Sequence, residues 1–505
     1  MPQKHRTWIR DLSFGLISFL LAYVFFYLTT HKRPPLTLVV AIGLVAAGFV
    51  FHLVLQKSKW AIYLIFIFLP FYPFIRVQIL RFEIVGQTVM FFVSRWTEVL
   101  MILALFGRKW GGVKRIFYSA PVLDFLTISF ILFGVGHLIS AVSQGQWVMG
   151  MFGMKEDFLF YIYYFLVRFI PLGKEDVKNL LKISAVIAAG IALFGVIQAL
   201  FLGEGFLVKL GYGIELKGTG LRILGHVHQR GDIRGAGGFI RAISILQDPL
   251  SLASYLMIFA LILQPFYFFP RQGRQWFWKM LQYVLILAGL FFTTTRSGWI
   301  GAAVGTLVVA LRTKRFFFIT SVLSLFGAVA LFVLFMMPGG KDFFIGSFTK
   351  TEDSAMAHYS KYGWHFKNML SHPMGMGLGM AGRIANQFAA QTRGGFVTEC
   401  WYLQIGNEMG IVAFFLFILI TLETLRKLFM VSMRLKDPFL KDVTTGIFAA
   451  YLGLALFGIF LNVWSCHIIP VFMHLLVGFA LFHFPSLDQD ANQYTLSPAT
   501  IRAAP

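Results

Sequence analysis

FWKMLQYVLILAGLFFTTTRSGWIGAAVGTLVVAL, residues 277–311, decides the class of this chain. Two apolar runs, 277–294 and 298–311, flank the polar break TTTRSGWIG at 293–301. An α-helix needs about 17–25 apolar residues to cross the hydrocarbon of a bilayer. The runs are continuous, whereas the strands of a membrane barrel alternate, so a β-barrel is excluded. The break carries Arg296. A guanidinium at mid-bilayer costs roughly 2.5–3.5 kcal/mol on insertion scales. At the start of the second helix it also meets the positive end of the helix dipole. Both penalties vanish when an anion docks there, because a helix N-terminus offers free N–H groups to negative charge. A phosphate-bearing lipid is the anion that these residues call for.

The rest of the chain agrees. Of 505 residues, 58% are hydrophobic and 13% charged, against roughly 45–50% and about 25% in soluble chains. Mean hydropathy is +0.74. The expected fold is all-α: a polytopic transmembrane bundle with a large extracytoplasmic loop containing short helices. Apolar windows fall near 12–30, 36–56, 60–76, 88–107, 121–142, 157–172, 180–202, 250–269, 277–294, 298–311, 316–337, 409–427, 443–463 and 466–484. That is about 12–14 spans by the length a bilayer requires. The stretch 12–30 is too long for a signal peptide and reads as a retained span. The formal charge of +22 reflects topology-setting loops and contacts to anionic lipid. No helix-turn-helix, zinc-finger or RNA-binding signature accompanies it.

With the N-terminus inside, every second connection is strongly basic, as the positive-inside rule demands. Lys57 and Lys59, then Arg108, Lys109, Lys114 and Arg115, then Arg271 and Arg274 fall inside. Arg312, Lys314 and Arg315 follow, and then Arg426, Lys427, Arg434, Lys436 and Lys441. Both termini are then cytoplasmic. The organisation reads as an N-terminal transmembrane bundle (1–202), a basic extracytoplasmic loop (203–249) and helices with the Arg296 turn (250–337). A large extracytoplasmic loop (338–408), C-terminal helices (409–484) and a cytoplasmic tail (485–505) complete it. Both long loops and the Arg296 turn fall on the outer face, although none of them set the orientation.

The first loop carries Arg222, Arg230, Arg234 and Arg241. The first three suit lipid headgroups or a ligand. Arg241, in the apolar setting FIRAI, suits a buried anion contact. Asp248-Pro249 is a helix start, with Asp as N-cap and Pro in the first turn. In the second loop, Met356, Tyr359, Tyr362, Phe366, Met369 and Leu370 form a helical apolar face opposite Lys361, His365 and Lys367. That face suits the membrane interface or the protein core. SHPMGMGLGMAGR at 371–383, with His372, permits tight turns and close backbone approach. VTECWYLQIGNEMGIVAF at 397–414 holds Glu399 and Glu408. Glu399 reads as a helix N-terminal carboxylate or as a general base. Arg95 and Glu98, three apart, read as a local ion pair or as a guide for a lipid carrier. Asp124, His137, Arg168 and Glu423 are further in-membrane polar residues without an assigned role. Cys400 and Cys466 are free thiols or, in an oxidising compartment, a disulfide.

Arg241 ahead of the DP helix start, TTTRSGW, HP-x-G-x-G-x-G and E-x-x-YLQ-x-x-x-E-x-G occur in that order on one face. Across 240–420 this ordered set resembles the O-antigen ligase and polymerase superfamily of bacterial glycan enzymes. The resemblance implies a GT-C-like glycosyltransferase of the bacterial inner membrane. Such enzymes pass a glycan from undecaprenyl pyrophosphate to an acceptor hydroxyl on the outer face, with no cofactor and no metal. The implied partners are the lipid-linked glycan, an acceptor glycan or lipid and anionic lipids, with no nucleic acid. A chain-length regulator or a flippase would act beside it. Carried over by position, Arg241 and Arg296 are the two arginines that grip the pyrophosphate. Ser297, Gly298, Arg230, Arg234, His372 and Glu408 are the further substrate-binding residues expected, and Glu399 orients or deprotonates the acceptor hydroxyl.

Ligases of the family carry a histidine followed by asparagine or serine just before the conserved leucine. Here Glu399-Cys400 stands ahead of Leu403. This departure favours a polymerase of polysaccharide repeat units, with a ligase to lipid A core as the alternative. A transporter of lipid-linked oligosaccharides is the rival class. Transporters often show internal repeats, and none is evident here.

Overall fold

The computed structural model describes residues 47–81, 95–106, 120–202, 206–207, 209–212, 241–246, 248–267, 274–313, 327, 353–387 and 396–495. The chain is all-α, with no strand among the described residues. Its helices are α1 (Ala47–Gln56), α2 (Lys59–Phe68), α3 (Tyr72–Arg81), α4 (Trp96–Phe106), α5 (Pro121–Ser143) and α6 (Trp147–Asp157). They continue as α7 (Tyr161–Leu166), α8 (Lys174–Ile197), α9 (Pro249–Tyr267), α10 (Arg274–Phe292), α11 (Arg296–Thr313) and α12 (Asp353–Ser371). The last are α13 (Arg383–Gln387), α14 (Trp401–Arg434), α15 (Pro438–Phe460), α16 (Ile468–Gly478) and α17 (Phe484–Thr495).

Seven stretches of helix in the described residues are long and apolar enough to cross a membrane. The expected window 12–30, all of 316–337 except residue 327, and most of 36–56 lie outside those residues. One expected span is corrected. Window 157–172 forms only the six-residue α7 and a 3₁₀ turn, Val167–Phe169. Another begins early: α14 starts at Trp401 rather than near 409, and breaks at Gly410.

Helix α9 is the axis of the bundle. Asp248 caps it by accepting the Ser251 N–H at 2.7 Å, and Pro249 opens it, where a missing N–H removes nothing. It is buried on nearly every face. Helix α11 reaches it through small residues, as apolar helices in lipid must. A Cβ on Gly301 would lie 2.6 Å from Met257 Sδ and 2.9 Å from the Gly453 carbonyl of α15.

The connections sort into two ends. At one end Lys59 pairs with Asp176 at 2.8 Å, Lys174 pairs with Asp437, and Asp488 accepts the Lys436 and Asp437 N–H groups. At the other, Arg241 meets the 293–295 turn, Arg383 meets Asp248, and Asn462 meets Thr398. Alternate connections therefore gather together, as alternate crossings require.

Candidate functional site

The turn between α10 and α11 is built by three threonines. Thr294 takes a left-handed conformation, φ 49, uncommon for a residue with a side chain. Thr293 Oγ1 donates to the Leu290 carbonyl at 2.7 Å, and Trp299 folds back to donate to the same carbonyl at 3.2 Å while stacking on Phe291. The end of α10 is thus closed, and α11 begins at Arg296, where the first N–H groups of a helix have no partner within it.

Arg241 lies along this turn. Its Nε donates to the Thr293 carbonyl and its Nη2 to Thr295 Oγ1, both at 3.0 Å. The Ala242 N–H donates to the Phe292 carbonyl at 2.9 Å. Gln198 of α8's π-helical end fixes the segment from behind by accepting from the Ile243 and Ser244 N–H groups. Burial lowers the Arg241 pKa; Asp248 opposes this and the Arg296 cation adds to it. The two arginines expected from sequence to act together are therefore neighbours. Beside Arg296, Ser297 is 7% exposed and its hydroxyl has no hydrogen-bond partner among the described residues. Gly298 faces inward, toward Ala253, Leu290 and Phe457, and packs α11 on α9.

A third guanidinium joins them. Arg383 Nη1 reaches Asp248 Oδ2 at 3.4 Å, while Oδ1 of the same carboxylate caps α9. Burial acts against the Arg383 cation, but Asp248 and Glu156 outweigh it and raise its pKa. Sequence reasoning quoted the glycine stretch that ends at Arg383 yet gave the arginine no role. Lys155-Glu156-Asp157, three consecutive charges at the start of window 157–172, likewise carried no assigned role. That run was the available signal.

The glycine stretch forms a loop clasped to the break in α14. Met376 N–H donates to the Asn407 carbonyl at 2.8 Å, Gly377 N–H to the Glu408 carbonyl at 3.0 Å, and Ile411 N–H to the Pro373 carbonyl at 3.0 Å. Gly375 (φ 80) and Gly410 (φ 87) must be glycine. A Cβ on Gly375 would lie 2.4 Å from Glu408 O, and one on Gly410 would lie 2.3 Å from Pro373 O. Glu408, 0% exposed, accepts from Gly379 N at 2.6 Å and Ala381 N at 3.1 Å, so its carboxylate holds the loop. His372 is exposed and bonds back to Asn368 O at the end of α12. Glu399 pairs with Lys361 of α12 at 3.7 Å. Arg222, Arg230 and Arg234 lie outside the described residues.

The apolar face expected for α12 divides between the surface and the core, and only the polar placement of His365 is corrected. His365 (3% exposed) and Met369 point into the protein, while Trp364, Phe366 and Leu370 point outward. Burial pushes His365 down to about 4, leaving a neutral ring stacked on Phe396. Arg95 and Glu98 form an ion pair at 3.6 Å, Arg168 pairs with Asp124, and Cys400 and Cys466 are buried free thiols.

Residues 281–418 match the family model described as O-antigen ligase. No curated protein matches the chain. The match takes in the Arg296 turn, the glycine loop and the broken start of α14, and leaves Arg241 just upstream. Over residues 281–418, a little over a quarter of the chain, the sequence is thus similar to the O-antigen ligase family, which supports the resemblance drawn from the motifs.

Proposed function

We propose that the protein transfers a glycan from undecaprenyl pyrophosphate to an acceptor hydroxyl on the outer face of the bacterial inner membrane, polymerising polysaccharide repeat units. The observation that carries this is Arg241 lying against the turn that opens at Arg296, with the Ser297 hydroxyl unpaired beside it. Fixed guanidiniums in a dry site stabilise the negative charge that develops on a departing diphosphate. Arginine suits the task because its fork binds phosphate oxygens in pairs and stays charged. Glu399 is the carboxylate that the resemblance offers to orient the acceptor or take its proton. The lipid pyrophosphate stores the energy, so the reading needs neither cofactor nor metal. It puts both termini in the cytoplasm, with anionic lipids around the bundle and a chain-length regulator or flippase as working partners. Glu399-Cys400 in place of the ligase histidine supports a polymerase.

Transfer to lipid A core is the second reading, supported by the description of the matched model as O-antigen ligase. Purified protein in detergent, given lipid-linked donor and acceptor, should form a new glycan without any membrane gradient. Lipid movement in vesicles without product would mean a transporter instead. Mass spectrometry of glycans from a deletion strain separates the two transfer readings. Single repeat units indicate a polymerase, and full chains left unattached indicate a ligase.

A further inference from the structure

An aromatic patch stands beside the arginine site, between α12 and the segment that leads into α14. Trp364 of α12 is 51% exposed. The Phe396 ring meets it edge to face, with centres 4.7 Å apart. His365, 3% exposed, lies 5.0 Å from each of these rings. Phe396 is fixed through its backbone: its N–H donates to the Met380 carbonyl at 3.0 Å, and the Thr398 N–H donates to the Ala381 carbonyl at 2.9 Å. The patch is thereby joined to the glycine loop. At its rim Lys361, one turn before His365, pairs with Glu399 at 3.7 Å. Both ends of that pair reach the surface, the Lys361 side chain at 46% exposure and the Glu399 side chain at 24%. Neither ring nitrogen of His365 has a hydrogen-bond partner among the described residues, a rare state for a buried polar group.

Helix α15 ties this patch to the diphosphate site. The Tyr362 hydroxyl of α12 donates to the Ile459 carbonyl at 3.1 Å, at the end of α15. Just before it, Phe457 touches the first turn of α11: a Cβ on Gly298 would lie 3.6 Å from its ring. Helix α12 and the Arg296 turn therefore hang on the same end of one helix. Neighbouring helices pack about 8–10 Å apart, so a diphosphate at Arg296 lies within a few sugar units of Trp364.

We propose that this patch is the subsite for a sugar ring of the acceptor glycan, an assignment that rests on the transfer reading given above. A sugar ring is amphipathic: its C–H groups form an apolar face, and hydroxyls surround its edge. Trp364 offers a large, rigid apolar surface to that face. A carboxylate accepts from hydroxyls, an ammonium donates to them, and a neutral imidazole does one of each. Glu399, Lys361 and His365 thus supply both kinds of partner, and hydroxyls supply what the His365 nitrogens lack. An apolar surface with a few polar groups around it is the composition of a small-ligand site. A lipid tail would need only the rings, and an anionic headgroup would be repelled by Glu399. The ring belongs to the acceptor because Glu399 is the carboxylate that the transfer reading gives to the acceptor.

The test uses the full chain in detergent, with undecaprenyl-diphosphate-linked glycan as donor and the oligosaccharide released from that lipid as acceptor, and KM is measured for each. Trp364 is exposed, so Trp364→Ala should fold and bind undecaprenyl diphosphate as the native protein does. Its KM for the acceptor should rise about 3–10-fold, the worth of one aromatic contact, with kcat and the donor KM near native. Trp364→Tyr should recover most of that loss. His365→Phe keeps a ring on Phe396 without the nitrogens and should raise the acceptor KM as well. An unchanged acceptor KM in Trp364→Ala overturns the subsite and leaves the transfer reading intact. So does a rise in the donor KM instead, which would give the ring to the donor. An effect seen in phosphatidylglycerol proteoliposomes but absent in detergent marks the patch as a membrane contact and also overturns it. No product from the native protein sinks the transfer reading and this assignment with it.

Discussion

Arg168 and Arg241 both sit inside an apolar bundle, yet their surroundings differ in kind. Arg168, 1% exposed, donates from Nη1 to Asp124 Oδ2 at 2.8 Å and from Nη2 to Oδ1. The Tyr164 hydroxyl donates to the same carboxylate at 2.8 Å, and the Phe482 ring centre lies 3.8 Å from the guanidinium carbon. One cation meets one anion under a lid of rings. The hydrogen bonds of Arg241 go instead to neutral oxygens, Thr293 O and Thr295 Oγ1. It shares its surroundings with Arg296, and Asp248 is divided between Arg241, Arg383 and the cap of α9. A buried charge needs a partner. The first region closes one cation on one anion; in the second the single carboxylate Asp248 serves Arg241, Arg383 and the cap of α9 at once.

That contrast can be broken from either side. The largest effect is expected at the closed pair. Arg168→Ala strands the Asp124 carboxylate and should destabilise the protein by about 3–5 kcal/mol, read as a lowered unfolding midpoint in detergent. Arg296→Ala should do the reverse: unfolding stays near native while transfer falls about 10²–10³-fold, the loss typical of removing one fixed donor to developing charge. Arg296→Lys should lie between, since a point charge does not reproduce the fork. If Arg296→Ala unfolded as readily as Arg168→Ala, the two regions would not differ in the way described.

Smaller effects sharpen the picture around the loop. Gly410 has φ 87 and ψ 178, a region essentially reserved for glycine, where a side chain costs about 1–3 kcal/mol. Gly410→Ala should lower both the unfolding midpoint and transfer, because it loosens the clasp on the glycine loop. The smallest expected effect is none. Cys400 and Cys466 are free, so reducing and non-reducing gels should give the same band position; a shift that Cys466→Ser removes would contradict this.

The all-α class was legible because apolar runs of membrane length permit little else. Arg241 and Arg296 were each legible as a cation in apolar sequence beside a helix start, a pattern that asks for an anion; that they belong together was implied only by the family resemblance. The faces of α12 were not. In a bundle whose outer surface is itself apolar, hydrophobicity does not separate core from periphery, so Trp364, Phe366 and Leu370 point outward while His365 turns in. Glu156 and Arg383 were hidden for another reason. They are far apart in sequence, and α6 packing beneath the glycine loop brings them within electrostatic reach of each other, a proximity that no local spacing encodes.

Binding of undecaprenyl diphosphate to the purified protein tests the central claim most directly. Saturable binding by the native chain, abolished in both Arg241→Ala and Arg296→Ala and retained in Glu399→Gln, is the predicted result. Unchanged affinity in either arginine variant would contradict the account.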